Sequence, residues 1–231
     1  MCGRMAVTLP PDAMAQLFAA APANDLPTVP NFNVCPTTAV HIITSDPATN
    51  QRRLSAMRWG FIPRWYKKPS GGPLLINARA ETLAEKPAFR AAARSRRGVI
   101  IATGFYEWTK DAEGGRDPWY ISRVDGGPLA FAAVWQDWAS PEGDIAATCA
   151  IVTIAANAPM QAIHHRMPVI LDAQDWALWL GEEGHGAATA MRPAADDLLR
   201  WHRVPRAVNS NRATGADLIL PLAATAKGEP E

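Results

Sequence analysis

The chain has 231 residues, 48% of them hydrophobic and 19% charged, with a formal net charge of +1. That composition fits a folded globular protein of one large domain or two small ones, and excludes a disordered chain. The near-zero charge argues against coating duplex DNA by bulk electrostatics, so any nucleic-acid contact must use a local groove.

In chain order, Pro11 to Ala20 predicts a short helix with proline in its first turn. Val40 to Thr44 and Arg53 to Trp59 read as strands. Glu81 to Arg97 has helical composition, with Pro87 starting or kinking its main part. Strand-like runs follow at Gly98–Thr103, Trp119–Val124, Leu129–Trp135 and Ala147–Ile154, separated by the turn-formers Asp111–Gly115 and Asp125–Gly127. Met167 to Leu171 is a further strand. Asp172 is placed to cap a helix running to Leu180, and Pro193 to Arg200 reads as another helix. The connections are too short for repeated βαβ crossovers. The expected fold is α+β, a mainly antiparallel sheet or partly closed barrel with peripheral helices. With no linker and no repeat, residues 1–221 form one domain, and 222–231 read as a frayed tail.

No apolar run reaches the ~20 residues that span a bilayer, and no secretory signal pattern opens the chain. Three cysteines, Cys2, Cys35 and Cys149, without CxxC spacing argue against a disulfide framework or zinc site. No metal, cofactor or membrane is expected, and reducing cytosol is the natural compartment.

Cys2 is the most informative residue. Removal of Met1 would leave an α-amine (pKa ~8) and a thiol (~8.5) on neighbouring carbons, each keeping some nucleophilic form near neutrality. Such a pair traps an aldehyde: the amine forms a Schiff base and the thiol closes on it to give a thiazolidine. A second-position cysteine is usually inert, so the rest of the chain must supply its environment. Nine tryptophans are many for this length. Several sit beside cations, as in Arg58–Trp59, Arg64–Trp65, Trp108 with Lys110, and Arg200–Trp201, an interleaving suited to stacked bases flanked by phosphates. Simple packing is the alternative for each.

Four segments carry the chemistry: Cys2-Gly3-Arg4, Leu75-Ile76-Asn77-Ala78-Arg79-Ala80-Glu81-Thr82, Gly104-Phe105-Tyr106-Glu107-Trp108 and Ile163-His164-His165-Arg166-Met167-Pro168. In this order, and with Asn33-Val34-Cys35-Pro36, Arg58-Trp59-Gly60-Phe61-Ile62-Pro63 and Val204-Pro205-Arg206-Ala207-Val208, they resemble the SRAP family from Met1 to about Pro221. These are the SOS-response-associated peptidases, also known as abasic-site processing proteins. The resemblance implies a bacterial-type cytoplasmic monomer that binds abasic sites in single-stranded DNA. It further implies a covalent link from Cys2 to the sugar aldehyde that shields the lesion, with lyase action through the Schiff base.

It makes Cys2, Asn77, Glu107 and His164 the catalytic set, and Arg4, Arg79 and Arg166 the DNA-contacting arginines, with Trp65 and Trp108 as base-stacking faces. His164 titrates near neutrality and suits ring opening of the closed sugar. Glu107 lies among aromatic residues that would raise its pKa and let it shuttle protons. Asn77 positions by hydrogen bonding. The bland alternatives are a backbone-bonded core histidine, an arginine-paired carboxylate and a turn asparagine. His164 and His165 would face opposite ways on an extended chain, so only one can enter a site. His165 stands where many bacterial relatives carry aspartate, and Ser70-Gly71-Gly72 reads as a small insertion. Two other functions stay open: a thiol peptidase using Cys2 and His164, and a non-catalytic single-strand binding module.

Overall fold

The computed structural model describes residues 2–23 and 25–222. Thirteen strands and three α-helices are described. The chain runs β1 (Met5–Val7), α1 (Pro11–Phe18), β2 (Ala20–Pro22), β3 (Asn31–Val34), β4 (Ala39–Ser45), β5 (Arg52–Trp59) and β6 (Asn77–Arg79). Then come α2 (Arg90–Ser95), β7 (Arg97–Ala102), β8 (Gly104–Lys110), β9 (Arg116–Arg123), β10 (Leu129–Ala139), β11 (Ile145–Ala155), β12 (Arg166–Pro168), α3 (Trp176–Leu180) and β13 (Leu199–Arg203).

A five-stranded antiparallel sheet has the order β13-β9-β8-β1-β3. The second sheet has eight strands, and five of them close on themselves: β11-β10-β7-β4-β5, with β5 returning to β11 through Arg58↔Thr148 and Trp59↔Cys149. The fold is therefore α+β, a partly closed barrel with short peripheral helices in a single domain. The contacts β5–β11, β6–β11 and β2–β5 are parallel. Short connections exclude parallel pairing only between consecutive strands, and β5 and β11 are separated by most of the central chain. The core packs against both faces of this ring: the neighbours Ile42 and Ile43, and Val99 and Ile100, point to opposite faces, yet all four are fully buried, as are Phe131 and Ile151. Each such side chain contributes about 1.5–3 kcal/mol by leaving water.

Two expected helices differ. Glu81–Arg97 is helical only over Arg90–Ser95, with a 3-10 turn at Ala80–Thr82 before it. Pro87 lacks an amide hydrogen and biases Lys86 away from helical dihedrals, so the chain turns through Phe89 N–H to Lys86 O, at 3.0 Å, before α2 starts. Pro193–Arg200 is not a helix; Leu199–Arg203 is a strand on the outer edge of β9. An open edge offers a ladder of backbone partners that outweighs local propensity. Asp172 makes no capping bond and instead accepts from Arg192 at 3.1 Å. Leu222 N–H bonds Arg203 O at 2.9 Å, and the rest of the expected tail, residues 223–231, lies outside the described residues.

Candidate active site

The N-terminal segment is built into the smaller sheet. Met5 pairs with Phe105 and Ala6 with Gly104, while Tyr106 N–H donates to Arg4 O at 3.0 Å. Continuing that antiparallel register brings Gly3 alongside Glu107. Gly104 is required here because a Cβ would run into the Tyr120 ring. Cys2 is 1% exposed. Burial pushes its thiol well above the ordinary thiol range, and the Glu107 charge adds to the effect. This corrects the expectation that part of the thiol is ionised near neutrality: in this state it is protonated. Met1, whose removal the aldehyde trap needs, lies outside the described residues.

Asn77 reaches the same place from the other sheet. Its amide Nδ2 donates to the Cys2 carbonyl oxygen at 2.9 Å. The strand carrying it is pinned from two sides, since Ile76 O accepts both the fully buried Trp59 indole N–H at 2.9 Å and Ile151 N–H at 3.0 Å. Trp59 therefore serves the site as a strut. Gly60, next in that motif, has φ +139°, and a Cβ there would press on Arg58 and Leu74.

Glu107 is 2% exposed, and burial raises its carboxyl pKa. It shares a cavity of about 460 Å³ with Gly3, Arg4, Trp108, Arg116 and His164. His164 follows a 3-10 turn, Pro159–Ala162, and its amide bonds Met160 O at 2.9 Å. Its Nδ1 sits 3.0 Å from Arg166 N and 3.1 Å from Arg166 O, which fixes the ring while leaving the tautomer open. Burial lowers the His164 pKa, so the ring is neutral at neutrality. The chain bends at this point, and the His164 and His165 rings stack with centroids 4.4 Å apart. They do not face opposite ways as an extended chain would place them. His164 lines the cavity and His165 is exposed outside its lining.

Of the expected DNA-contacting residues, Trp65 is 60% exposed. With Asn77, Arg79, Pro87 and Phe89 it lines a second cavity, of about 500 Å³. Arg79 is exposed, with no ion pair among the described residues. Arg4 is half-buried and donates through Nη1 to Asn33 Oδ1 at 2.6 Å and Val208 O at 2.8 Å. Arg166 is 9% exposed and already engaged, bonding Glu81 at 2.6 and 3.0 Å and Thr153 O at 2.5 Å. Trp108 donates from its indole nitrogen to Asn209 Oδ1 at 2.6 Å. Sequence reasoning gave no role to Arg116, which lines the first cavity. Only the hairpin register brings it there, with Arg116 opposite Lys110, two residues beyond Trp108, and no motif in the sequence marks it.

The family model described as SOS response associated peptidase (SRAP) matches residues 1–211. The chain belongs to the SRAP family. Among SRAP relatives, the "abasic site processing protein YoqW" of Bacillus subtilis (strain 168) is 37% identical over 193 residues, covering 82% of this chain and 85% of that protein. The "abasic site processing protein YedK" of Escherichia coli (strain K12) is 33% identical over 232 residues, covering 96% and 100%. A crystal structure of a Bacteroides thetaiotaomicron protein shares the SRAP chain's fold, with a TM-score of 0.83 at 21% identity over 96% of this chain and 100% of that one.

Proposed function

We propose that this protein captures abasic sites in single-stranded DNA by linking the sugar aldehyde to the amine and thiol of Cys2 after Met1 has left. The observation that carries the reading is convergence. Asn77 fixes Cys2 beside a cavity whose wall holds a buried carboxyl, Glu107, and a neutral imidazole, His164. Membership of a family whose relatives are named for abasic-site processing supports it.

The chemistry follows from the pKa directions. His164 takes the hydroxyl proton of the closed sugar and passes it to the ring oxygen as the ring C–O bond breaks, exposing the aldehyde. The α-amine adds to the carbonyl carbon, Glu107 protonates the departing hydroxyl, and water leaves. The resulting iminium places a positive charge beside a thiol that burial had kept protonated, which favours the thiolate. Sulfur therefore attacks second: an S–C bond forms, the C=N π pair moves to nitrogen and cancels its charge, and the thiol proton returns to the Glu107 carboxylate. No electron donor or acceptor is needed. Until the ring closes, the iminium also acidifies the adjacent carbon, so strand cleavage by β-elimination competes. Protonation of the ring sulfur by Glu107 or His164 reopens the imine and makes the link reversible.

The strand is met by Trp65 stacking a base, by Arg79 and Arg4 at phosphates, and by Trp108. Arg166, already bonded to Glu81 and Thr153, acts chiefly by holding His164. One copy of the chain contains all these groups, so the proposal needs no second subunit. A general thiol peptidase fits less well, because no iminium would help ionise the buried Cys2. The only peptide cleavage needed is loss of Met1, by this chain or by an aminopeptidase.

Denaturing electrophoresis with an aldehyde-bearing abasic strand tests the proposal. Wild type gives a stable conjugate. Cys2→Ser keeps the amine, so it gives a conjugate only when borohydride traps the imine. A stable, untrapped conjugate from Cys2→Ser would overturn the thiazolidine assignment.

A further inference from the structure

We propose that Trp108 is the platform of a phosphate clamp, and that Arg116 on this platform binds the phosphodiester next to the lesion. The inference rests on the proposed function for the identity of the strand and adds a site to it.

The β8–β9 hairpin sets the geometry. Trp108 lies opposite Pro118, and Lys110 opposite Arg116. The Arg116 Cζ sits 4.7 Å from the centroid of the Trp108 ring, and the Arg4 Cζ sits 5.9 Å from it. The ring plane is held by the 2.6 Å bond to Asn209, and Asn209 Nδ2 in turn donates to Arg116 O at 3.0 Å. One asparagine thus fixes both the indole and the backbone that presents the guanidinium. A guanidinium over an indole is held through its face, leaving its N–H edge available for the bidentate geometry of phosphate oxygens.

The two aspartates nearest in sequence are engaged elsewhere, and the buried Glu107 carboxyl, which shares the cavity, feels the Arg116 charge only through space. Asp117 accepts from Arg206 at 2.7 and 3.0 Å and from Arg203 at 2.5 Å. Asp111 accepts from Arg206 and from the turn amides of Glu113 and Gly115. Among the described residues no carboxylate forms an ion pair with Arg116 or Lys110. Both cations line the cavity that holds Glu107 and His164, so a phosphate bound there belongs to the nucleotide being processed or its neighbour. A base stacked on the same indole would have to displace the guanidinium.

The test uses a short single strand with a central tetrahydrofuran residue, which lacks an aldehyde and binds without a covalent step. Arg116→Ala should weaken binding about fivefold at moderate salt and make the log–log salt slope shallower by about 0.7, one phosphate's worth. Arg116→Lys should keep the slope while losing part of the affinity. A neutral methylphosphonate at one linkage beside the lesion should weaken wild type and abolish its difference from Arg116→Ala. An unchanged slope in Arg116→Ala, or a penalty that survives a neutral linkage at every position in turn, would overturn the clamp. So would a Trp108→Leu penalty that vanishes when the neighbouring base is removed, which would restore Trp108 as a stacking face. If the aldehyde strand fails to join Cys2, the proposed function falls while these non-covalent measurements still judge the clamp.

Discussion

Asn77 and Cys2, 75 positions apart, are joined by a 2.9 Å hydrogen bond from the Asn77 amide nitrogen to the Cys2 carbonyl oxygen. The bond ties the strand held by Trp59 to the residue proposed to capture the aldehyde. Asn77→Ala should slow conjugate formation by about 10- to 100-fold, because a small loss of alignment acts on the reacting geometry. The stability cost is about 1 kcal/mol, a Tm change of about 2–4 °C for a chain of this size. Single-turnover kinetics and thermal melts separate the two effects.

Glu107 carries a signature in pH-dependent stability. Its folded pKa is raised by burial, so its favourable contribution is complete below the ordinary carboxylate pKa, about 4.3. That contribution is lost as pH rises through the folded value. Glu107→Gln should therefore melt above wild type at pH about 8, with the gap closing toward pH about 4. Its conjugation rate should nevertheless collapse. Equal melting of the two proteins across that range would contradict the buried-carboxyl account.

As the proposed base, His164 should set the acid side of the rate profile. Its pKa is lowered by burial, so the acid limb of conjugation should fall below the ordinary histidine value of about 6.5. For stability the sign is the same: the neutral ring's contribution is present above the unfolded pKa and is lost as pH falls through the folded one. The groups gathered around His164 are Arg166, through its backbone, Glu107 and Arg4 on the shared cavity, and His165 stacked at 4.4 Å. His165→Asp puts a carboxylate against the imidazole and should move the limb upward by about one pH unit. A limb that stays in place would mean that the stacked ring is electrostatically silent.

The Glu81–Arg166 pair holds the backbone that orients His164. Its carboxylate is half-exposed, with 48% side-chain exposure, while the guanidinium is 11% exposed. Solvent screening therefore limits the loss in Glu81→Ala to about 1–2 kcal/mol. Differential scanning calorimetry should show the lowered Tm, together with slower conjugation as the His164 ring loosens.

Trp65 tests whether the second cavity is the proposed single-strand cleft. At 60% exposure it contributes little to packing. Trp65→Ala should weaken single-strand binding by about 1–3 kcal/mol with Tm nearly unchanged.

Much of this architecture was legible where local chemistry and tertiary context agree. The β-branched run Val40–Thr44 is within β4, and the barrel strands β7, β10 and β11 sit on the apolar runs that suggested them. Leu199–Arg203 was not legible, because it is a strand only by virtue of the free edge of β9. The candidate site residues could be picked out from their motifs, but the contact between Asn77 and Cys2 could not, since nothing local encodes a bond across 75 positions. Arg116 escaped for a related reason: it lies outside every motif segment and reaches Trp108 only through the hairpin. The protonated state of Cys2 was likewise hidden, because it depends on burial that no short segment reveals.

The central claim is that Cys2, as the first residue of the mature chain, closes a ring on the sugar aldehyde. Intact-mass and peptide-level mass spectrometry of the active protein with an aldehyde-bearing abasic strand tests it most directly. The account predicts a conjugate equal to the chain without Met1 plus the strand minus one water, with the modification on Cys2 and none in Cys2→Ala. A conjugate that retains Met1, or one carried by any other residue, would contradict it.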